Sequence, residues 1–104
     1  IPSLSKNSKK FTPDGDYWRG RIWPPINYIV YKGLEKYNRE VSKLLADKCR
    51  SLILNEWNID GHIHENYSSK TGRGEPEEGV YARSCPMYTW GGLLALIYLE
   101  SGSQ

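Results

Sequence analysis

Apolar residues begin to recur at helical spacing just after Pro25, where Ile26, Ile29, Val30, Leu34 and Tyr37 fall three and four positions apart. That spacing predicts a helix with one sticky face, ending near Asn38. A second helix follows at once. Val41, Leu44, Leu45, Cys49, Leu52, Ile53 and Trp57 keep the same period, while Lys43, Asp47, Lys48 and Arg50 occupy the other side. Two helices separated by so short a break must fold back on each other as an αα-hairpin. Asp60-Gly61 is expected to close the second, with Gly61 suited to the left-handed position after a helix. His62 to Tyr67 reads as a short extended segment, and Ser68 to Arg83, rich in Gly, Glu, Lys and Pro, as a long loop of the kind that is functional or mobile. The last element, Trp90 to Leu99, is apolar on every side and must be surrounded. The expected fold is therefore all-α: a helical hairpin plus a buried C-terminal helix, with long loops. One hairpin covers only one face of such a helix, so the pattern calls for self-association or for a larger helical body.

Residues 1–16 carry Ser, Lys, Asn, Pro and Gly, predicting an extended or flexible N-terminal arm ahead of a helical unit over 17–104, with a turn at Thr12-Pro13-Asp14-Gly15. At 104 residues the chain makes one domain or a piece of one, with a small core. Its net charge of +2 rests largely on Lys6, Lys9 and Lys10, a run expected to be a solvated tail rather than a nucleic-acid contact. No apolar run is long enough to span a bilayer, and no signal-peptide pattern opens the chain. Two cysteines, Cys49 and Cys85, without CxxC spacing suit buried thiols in a reducing compartment, and a cytoplasmic origin is the expectation.

Candidate chemistry concentrates in Tyr17-Trp18-Arg19-Gly20-Arg21-Ile22-Trp23-Pro24-Pro25-Ile26-Asn27-Tyr28. Indole faces stack on the C–H faces of a sugar or on a base, and guanidinium forks add fixed donors beside them. Prolines at a helix start would hold this loop at the helix N-terminus. The competing reading is that the tryptophans only plug a core. Glu65, in the run His64-Glu65-Asn66-Tyr67 after a helix end, is the carboxylate placed to act as general base on a water, with Asn66 and Tyr67 as hydrogen-bonding neighbours. Taken bare, a glutamate in such a run is more often solvated. His62 and His64 with Cys49 or Cys85 fit no familiar zinc spacing, and the two histidines are expected to point apart. No metal and no cofactor is expected. The glycines Gly72, Gly74 and Gly79 form no phosphate loop of known spacing, and Cys85 before Pro86 shows no sign of an activated nucleophile.

Taken together, Tyr17-Trp18-Arg19-Gly20-Arg21-Ile22-Trp23-Pro24 with Asn27-Tyr28, then Glu65-Asn66-Tyr67, then Thr71-Gly72-Arg73-Gly74, then Tyr88-Thr89-Trp90-Gly91-Gly92 ahead of an apolar helix, resemble the C-terminal part of glycoside hydrolase family 63. That family includes mannosyl-oligosaccharide glucosidases and mannosylglycerate and glucosylglycerate hydrolases, with trehalases of family 37 as more distant kin. The resemblance implies a partial (α/α)6 toroid and an inverting mechanism on α-glucosides or α-mannosides. It assigns Glu65 to the general base, Tyr17, Trp18, Arg19 and Trp23 to the loop lining the sugar subsite, and Trp90 to the pocket wall. The family's general acid is an Asp far upstream that has no counterpart here, since Asp14 and Asp16 lie in the motif's own approach. The resemblance thus implies a C-terminal fragment, or separately encoded remnant, of an inverting α-glycosidase, with an incomplete catalytic set, inactive alone and restored to activity if a companion chain supplies the remaining hairpins. A non-catalytic carbohydrate-binding or assembly module, joined as a homo-oligomer through the apolar helix, is the alternative.

Overall fold

The computed structural model describes residues 1–12, 17–75 and 84–102. Among the described residues three α-helices make the body: α1 (Pro24–Tyr37), α2 (Arg39–Asp60) and α3 (Leu93–Glu100), the last entered through a 3-10 turn at Thr89–Gly92. Among the described residues there is no strand, only isolated antiparallel bridges.

Asn38 makes the hairpin turn almost alone. Its extended backbone ends α1 with its N–H on the Leu34 carbonyl, while its side-chain oxygen accepts from Val41 N–H at 3.1 Å and caps α2. One asparagine thereby satisfies groups at two helix ends. At the far end Gly61, at φ 69°, closes α2 in the left-handed region, as its sequence position predicts.

The core forms where the three helices meet: Tyr31 from α1, Leu45, Ala46, Cys49 and Ile53 from α2, and Leu94 and Ile97 from α3, joined by Tyr67. Along α2 the buried register runs Ser42, Leu45, Ala46, Cys49, Ile53, Glu56. Periodicity finds Leu45, Cys49 and Ile53 on this face, but Val41, Leu44 and Trp57, expected beside them, are exposed, and it misplaces the buried face of α1. Pro24, Asn27 and Tyr31 are buried there, whereas Ile29 is 68% exposed and Ile26 and Tyr37 also face outward. The helix carries two apolar stripes, and the other two helices cover only one. α3 likewise buries Leu94 and Ile97 but leaves Leu99 69% exposed, so within this chain it is covered on one side rather than surrounded. Of the thiols expected to be buried, Cys49 is and Cys85 is exposed.

The arm residues 1–12 lie against the body. Pro2 bridges Ile22, Ser3 N–H donates to the Arg21 carbonyl at 2.9 Å, and Thr12 N–H donates to the Arg19 carbonyl. Most of the turn predicted at residues 12–15, and both Asp14 and Asp16, fall outside the described residues.

A candidate sugar site at an aromatic rim

Three non-helical segments converge beside the N-terminus of α1. Ile22 and Tyr67 exchange both backbone hydrogen bonds, at 2.7 and 2.9 Å. On the other side of the same segment, Glu65 N–H donates to the Cys85 carbonyl at 2.9 Å and Tyr88 N–H to the Ile63 carbonyl at 2.9 Å. Residues 63–67 are thus held from both flanks, which fixes where the Glu65 side chain emerges. The 17–23 loop needs Gly20, whose φ of 145° is closed to other residues and whose Cβ would strike the Thr12 carbonyl.

Glu65 is half-buried, and both its carboxylate oxygens are engaged. Tyr17 Oη donates to Oε2 at 3.0 Å, and Cys85 N–H donates to Oε1 at 3.3 Å. Each oxygen keeps a further lone-pair direction for a water. Trp90 Nε1 donates to the Glu65 carbonyl at 3.2 Å, and Trp23 Nε1 to the Tyr17 carbonyl at 2.9 Å, so two indoles brace the backbone on which acid and phenol sit. Trp23 is buried; Trp18 stacks on it at 3.7 Å and 8°, with 48% of its own surface exposed. Tyr17 meets Trp23 edge-on at 4.7 Å, and Trp90 meets Trp23 at 6.2 Å. The result is a half-ring of aromatic surface with one carboxylate at its edge. The two indoles differ in burial: Trp23 fills the interior, and Trp18 leaves its outer surface open.

Tyr17, Trp18, Trp23, Glu65 and Trp90 are therefore brought together. Arg19, Asn66 and Tyr67 are not. Arg19 turns away and donates from Nε to the Lys10 carbonyl at 3.1 Å. Asn66 and Tyr67 follow Glu65 in sequence but are fully buried beneath it, so what they touch is protein. Asn66 Oδ1 accepts from Arg21 Nε, and Tyr67 Oη accepts from His64 N–H at 3.1 Å. Burial pushes the Tyr67 hydroxyl up to about 12.

Beneath the rim lies a polar layer that sequence reasoning missed. Arg21 is fully buried and also donates from Nη2 to the Gly74 carbonyl at 2.8 Å, tying the 71–74 turn to the Glu65 segment. Glu56, on the core register of α2, is fully buried and pairs with Arg73 Nε at 2.8 Å. That pairing holds the Arg73 guanidinium protonated to still higher pH than usual. His64 lies between Glu56 and Asp60, its Nε2 3.2 Å from an oxygen of each. Burial pulls the Asp60 carboxyl upward, but the His62 N–H and the His64 ring outweigh it and hold Asp60 below the usual carboxylate range. A charged residue at the buried phase of an amphipathic helix was the available signal for Glu56. The histidines do not point apart: extended backbone puts residues i and i+2 on one side, and the two rings lie 5.9 Å from one another.

Comparisons with known proteins bear on this geometry. Residues 1–90 match the family model described as mannosylglycerate hydrolase MGH1-like glycoside hydrolase domain. The chain is similar to the mannosyl-oligosaccharide glucosidase of Saccharomyces cerevisiae, 33% identical over 90 residues, covering 73% of this chain and 11% of that one. It is similar to the mannosylglycerate hydrolase of Thermus thermophilus, 31% identical over 98 residues, covering 94% of this chain and 20% of that one. Among solved structures it resembles a family 63 mannosylglycerate hydrolase from Thermus thermophilus in complex with glucose, with a TM-score of 0.71, 29% identity and coverage of 95% of this chain and 22% of that one. The chain thus spans about a tenth to a fifth of the length of these relatives.

Proposed function

The chain belongs to the mannosylglycerate hydrolase MGH1-like glycoside hydrolase family, with the all-α architecture of a partial helical toroid, and from that premise we propose that its rim is one wall of an inverting glycosidase pocket. Glu65 is the water-activating base, Trp18 the platform for an α-glucoside or α-mannoside ring, and Tyr17 the donor that fixes the carboxylate's orientation.

One observation carries the reading: Tyr17 Oη on Glu65 Oε2 at 3.0 Å, beside an indole pair whose outer member is open. A pyranose stacked on Trp18 presents its ring edge to the carboxylate. An inverting reaction then needs a proton donor roughly 6.5–9.5 Å from Glu65, on the opposite face of the sugar, to protonate the departing oxygen while Glu65 takes a proton from water. Neither half of that pair gives efficient turnover alone. The donor belongs to helical hairpins beyond these 104 residues, on the same polypeptide or a companion. The outward apolar residues Ile26 and Ile29 of α1 and Leu96 and Leu99 of α3 support such a neighbour, because an apolar stripe is stable when a helix covers it.

Titrating the chain's tryptophan fluorescence with glucose, mannose and their α-linked disaccharides tests the pocket. Saturable quenching that disappears in Trp18→Ala is expected, without measurable hydrolysis. Joined to the remaining hairpins, the assembly should hydrolyse an α-glucoside or α-mannoside, and Glu65→Gln should cut kcat by about 10²–10⁴. Hydrolysis by the chain alone that survives Glu65→Gln overturns the reading.

A further inference from the structure

We propose that Glu56, Asp60, His62 and His64 form a binding site for one borderline divalent transition ion, zinc foremost, at the C-terminal end of α2. Ligand atoms of Asp60, His62 and His64 lie within 4.8 Å of one another. His64 Nε2 is 3.2 Å from Asp60 Oδ2 and 3.2 Å from Glu56 Oε1, while His62 Nδ1 is 3.8 Å from the same Asp60 oxygen. Ligands at about 2.0–2.1 Å in a tetrahedron stand roughly 3.3 Å apart, and His64 Nε2 already has that spacing to one oxygen of each carboxylate. His62, 44% exposed at its side chain, closes the remainder by rotating its ring.

A second observation points the same way. Glu56 is fully buried, yet its Oε1 makes no hydrogen bond, although Nε2 of His64 is near. Nε2 carries at most one proton, and hydrogen-bond geometry is met toward Asp60 Oδ2 but not toward Glu56 Oε1. One buried carboxylate oxygen therefore lies 3.2 Å from the imidazole without a hydrogen bond to it. An ion at the centre engages both oxygens and both imidazoles. Arg73, 2.8 Å from Glu56 Oε2 and 4.0 Å from Asp60 Oδ2, offsets one of the two carboxylate charges, so the ligands together with Arg73 present a net single negative charge to the ion. Two imidazoles with two carboxylates suit zinc, cobalt or nickel rather than magnesium or calcium, which take oxygen. Coordination through Nε2 leaves the His64 proton on Nδ1, which has no acceptor here, and this makes the site weaker than a closed structural zinc site.

The consequence is local. His64 directly precedes Glu65, so an ion bound there ties the end of α2 to the segment that presents the rim carboxylate. The site itself does not depend on the glycosidase reading.

The untagged chain, stripped with EDTA and dialysed, is titrated with Zn²⁺ by calorimetry and with Co²⁺ by visible absorption. The expected result is one ion per chain, the intense bands of four-coordinate Co²⁺, and a higher Tm with Zn²⁺. His62→Ala, at a half-exposed position that leaves the fold intact, should weaken binding at least tenfold, and Cys85→Ser should leave it unchanged. No saturable binding, binding retained in His62→Ala, or binding lost in Cys85→Ser each overturns the proposal. Sugar quenching measured on the metal-free chain fails or succeeds separately.

Discussion

In the hairpin, Leu45, Ala46, Cys49 and Ile53 of α2 meet Leu94 and Ile97 of α3 through apolar surface; under the rim, Arg21, Asn66, Ser68, His64 and Glu56 are buried as deeply and meet through directional bonds. The two regions respond differently to change. An apolar core tolerates volume-conserving substitutions because dispersion and burial depend weakly on angle. A buried donor that loses its acceptor forfeits the bond and keeps the desolvation cost. The rim can therefore hold a carboxylate and a phenol at 3.0 Å, while the hairpin supplies the platform it stands on.

The severest way to break this contrast is Gly74→Ala. A Cβ at Gly74 would fall inside the contact radius of the His64 ring, and His64 is fully buried with nowhere to move. It would also shift the carbonyl that accepts from Arg21 Nη2. The expected loss exceeds about 4 kcal/mol, read from urea unfolding followed by tryptophan fluorescence. A loss within about 1 kcal/mol would mean that the polar layer is as adaptable as the helical core.

The next test probes the apolar side of the comparison by pH. Burial pushes the Cys49 thiol, in the hairpin core, up from 9.0 to about 11. Because the folded value is raised, this contribution to stability is whole below about pH 9 and is lost as pH climbs to about 11, since the unfolded chain ionises first. Two units correspond to roughly 2–3 kcal/mol. Tyr67, under the rim, and Tyr31, in the hairpin core, are both pushed from 10.0 to about 12, so their share begins to be lost only above about pH 10. Stability measured from about pH 8 to 11 should fall in the parent and stay flatter in Cys49→Ala, and parallel curves would remove Cys49 as the cause.

The same division decides what could be read from the sequence. The ends of the hairpin helices were legible: the break at Asn38 and the left-handed Gly61 follow from spacing and cap chemistry, while the α2 stripe is buried at Leu45, Cys49 and Ile53 but not at Val41, Leu44 and Trp57, which are exposed. Periodicity reports which positions share a face, not how many faces a neighbour will cover, and so Ile26, Ile29 and Leu99 turned out exposed. At the rim, motif resemblance gathered Tyr17, Trp18, Trp23, Glu65 and Trp90. It could not show that adjacent residues in an extended segment face opposite ways, which sends Asn66 inward beneath Glu65. Nor could it show that Arg21, two residues from Arg19, is the buried member of the pair. Those facts belong to pairings between segments some 45 residues apart, such as Arg21 with Asn66.

The smallest effect expected is a gain, at the glycine that mirrors Gly74. Gly33 sits inside α1, exposed, with nothing within 4 Å of an added Cβ. Glycine in a helix interior costs about 0.8–1.0 kcal/mol relative to alanine, because the unfolded chain loses more freedom when it folds. Gly33→Ala should stabilise the chain by roughly 0.5–1 kcal/mol, a rise of several degrees in Tm for a domain of this size. The two glycines thus carry opposite signs for one physical reason: at Gly74 the missing Cβ is space that His64 occupies, and at Gly33 it is only lost order. A fall in Tm for Gly33→Ala would place a packing partner on the outer face of α1 within the chain's own assembly. That would move α1 from the open side of the comparison to the closed one.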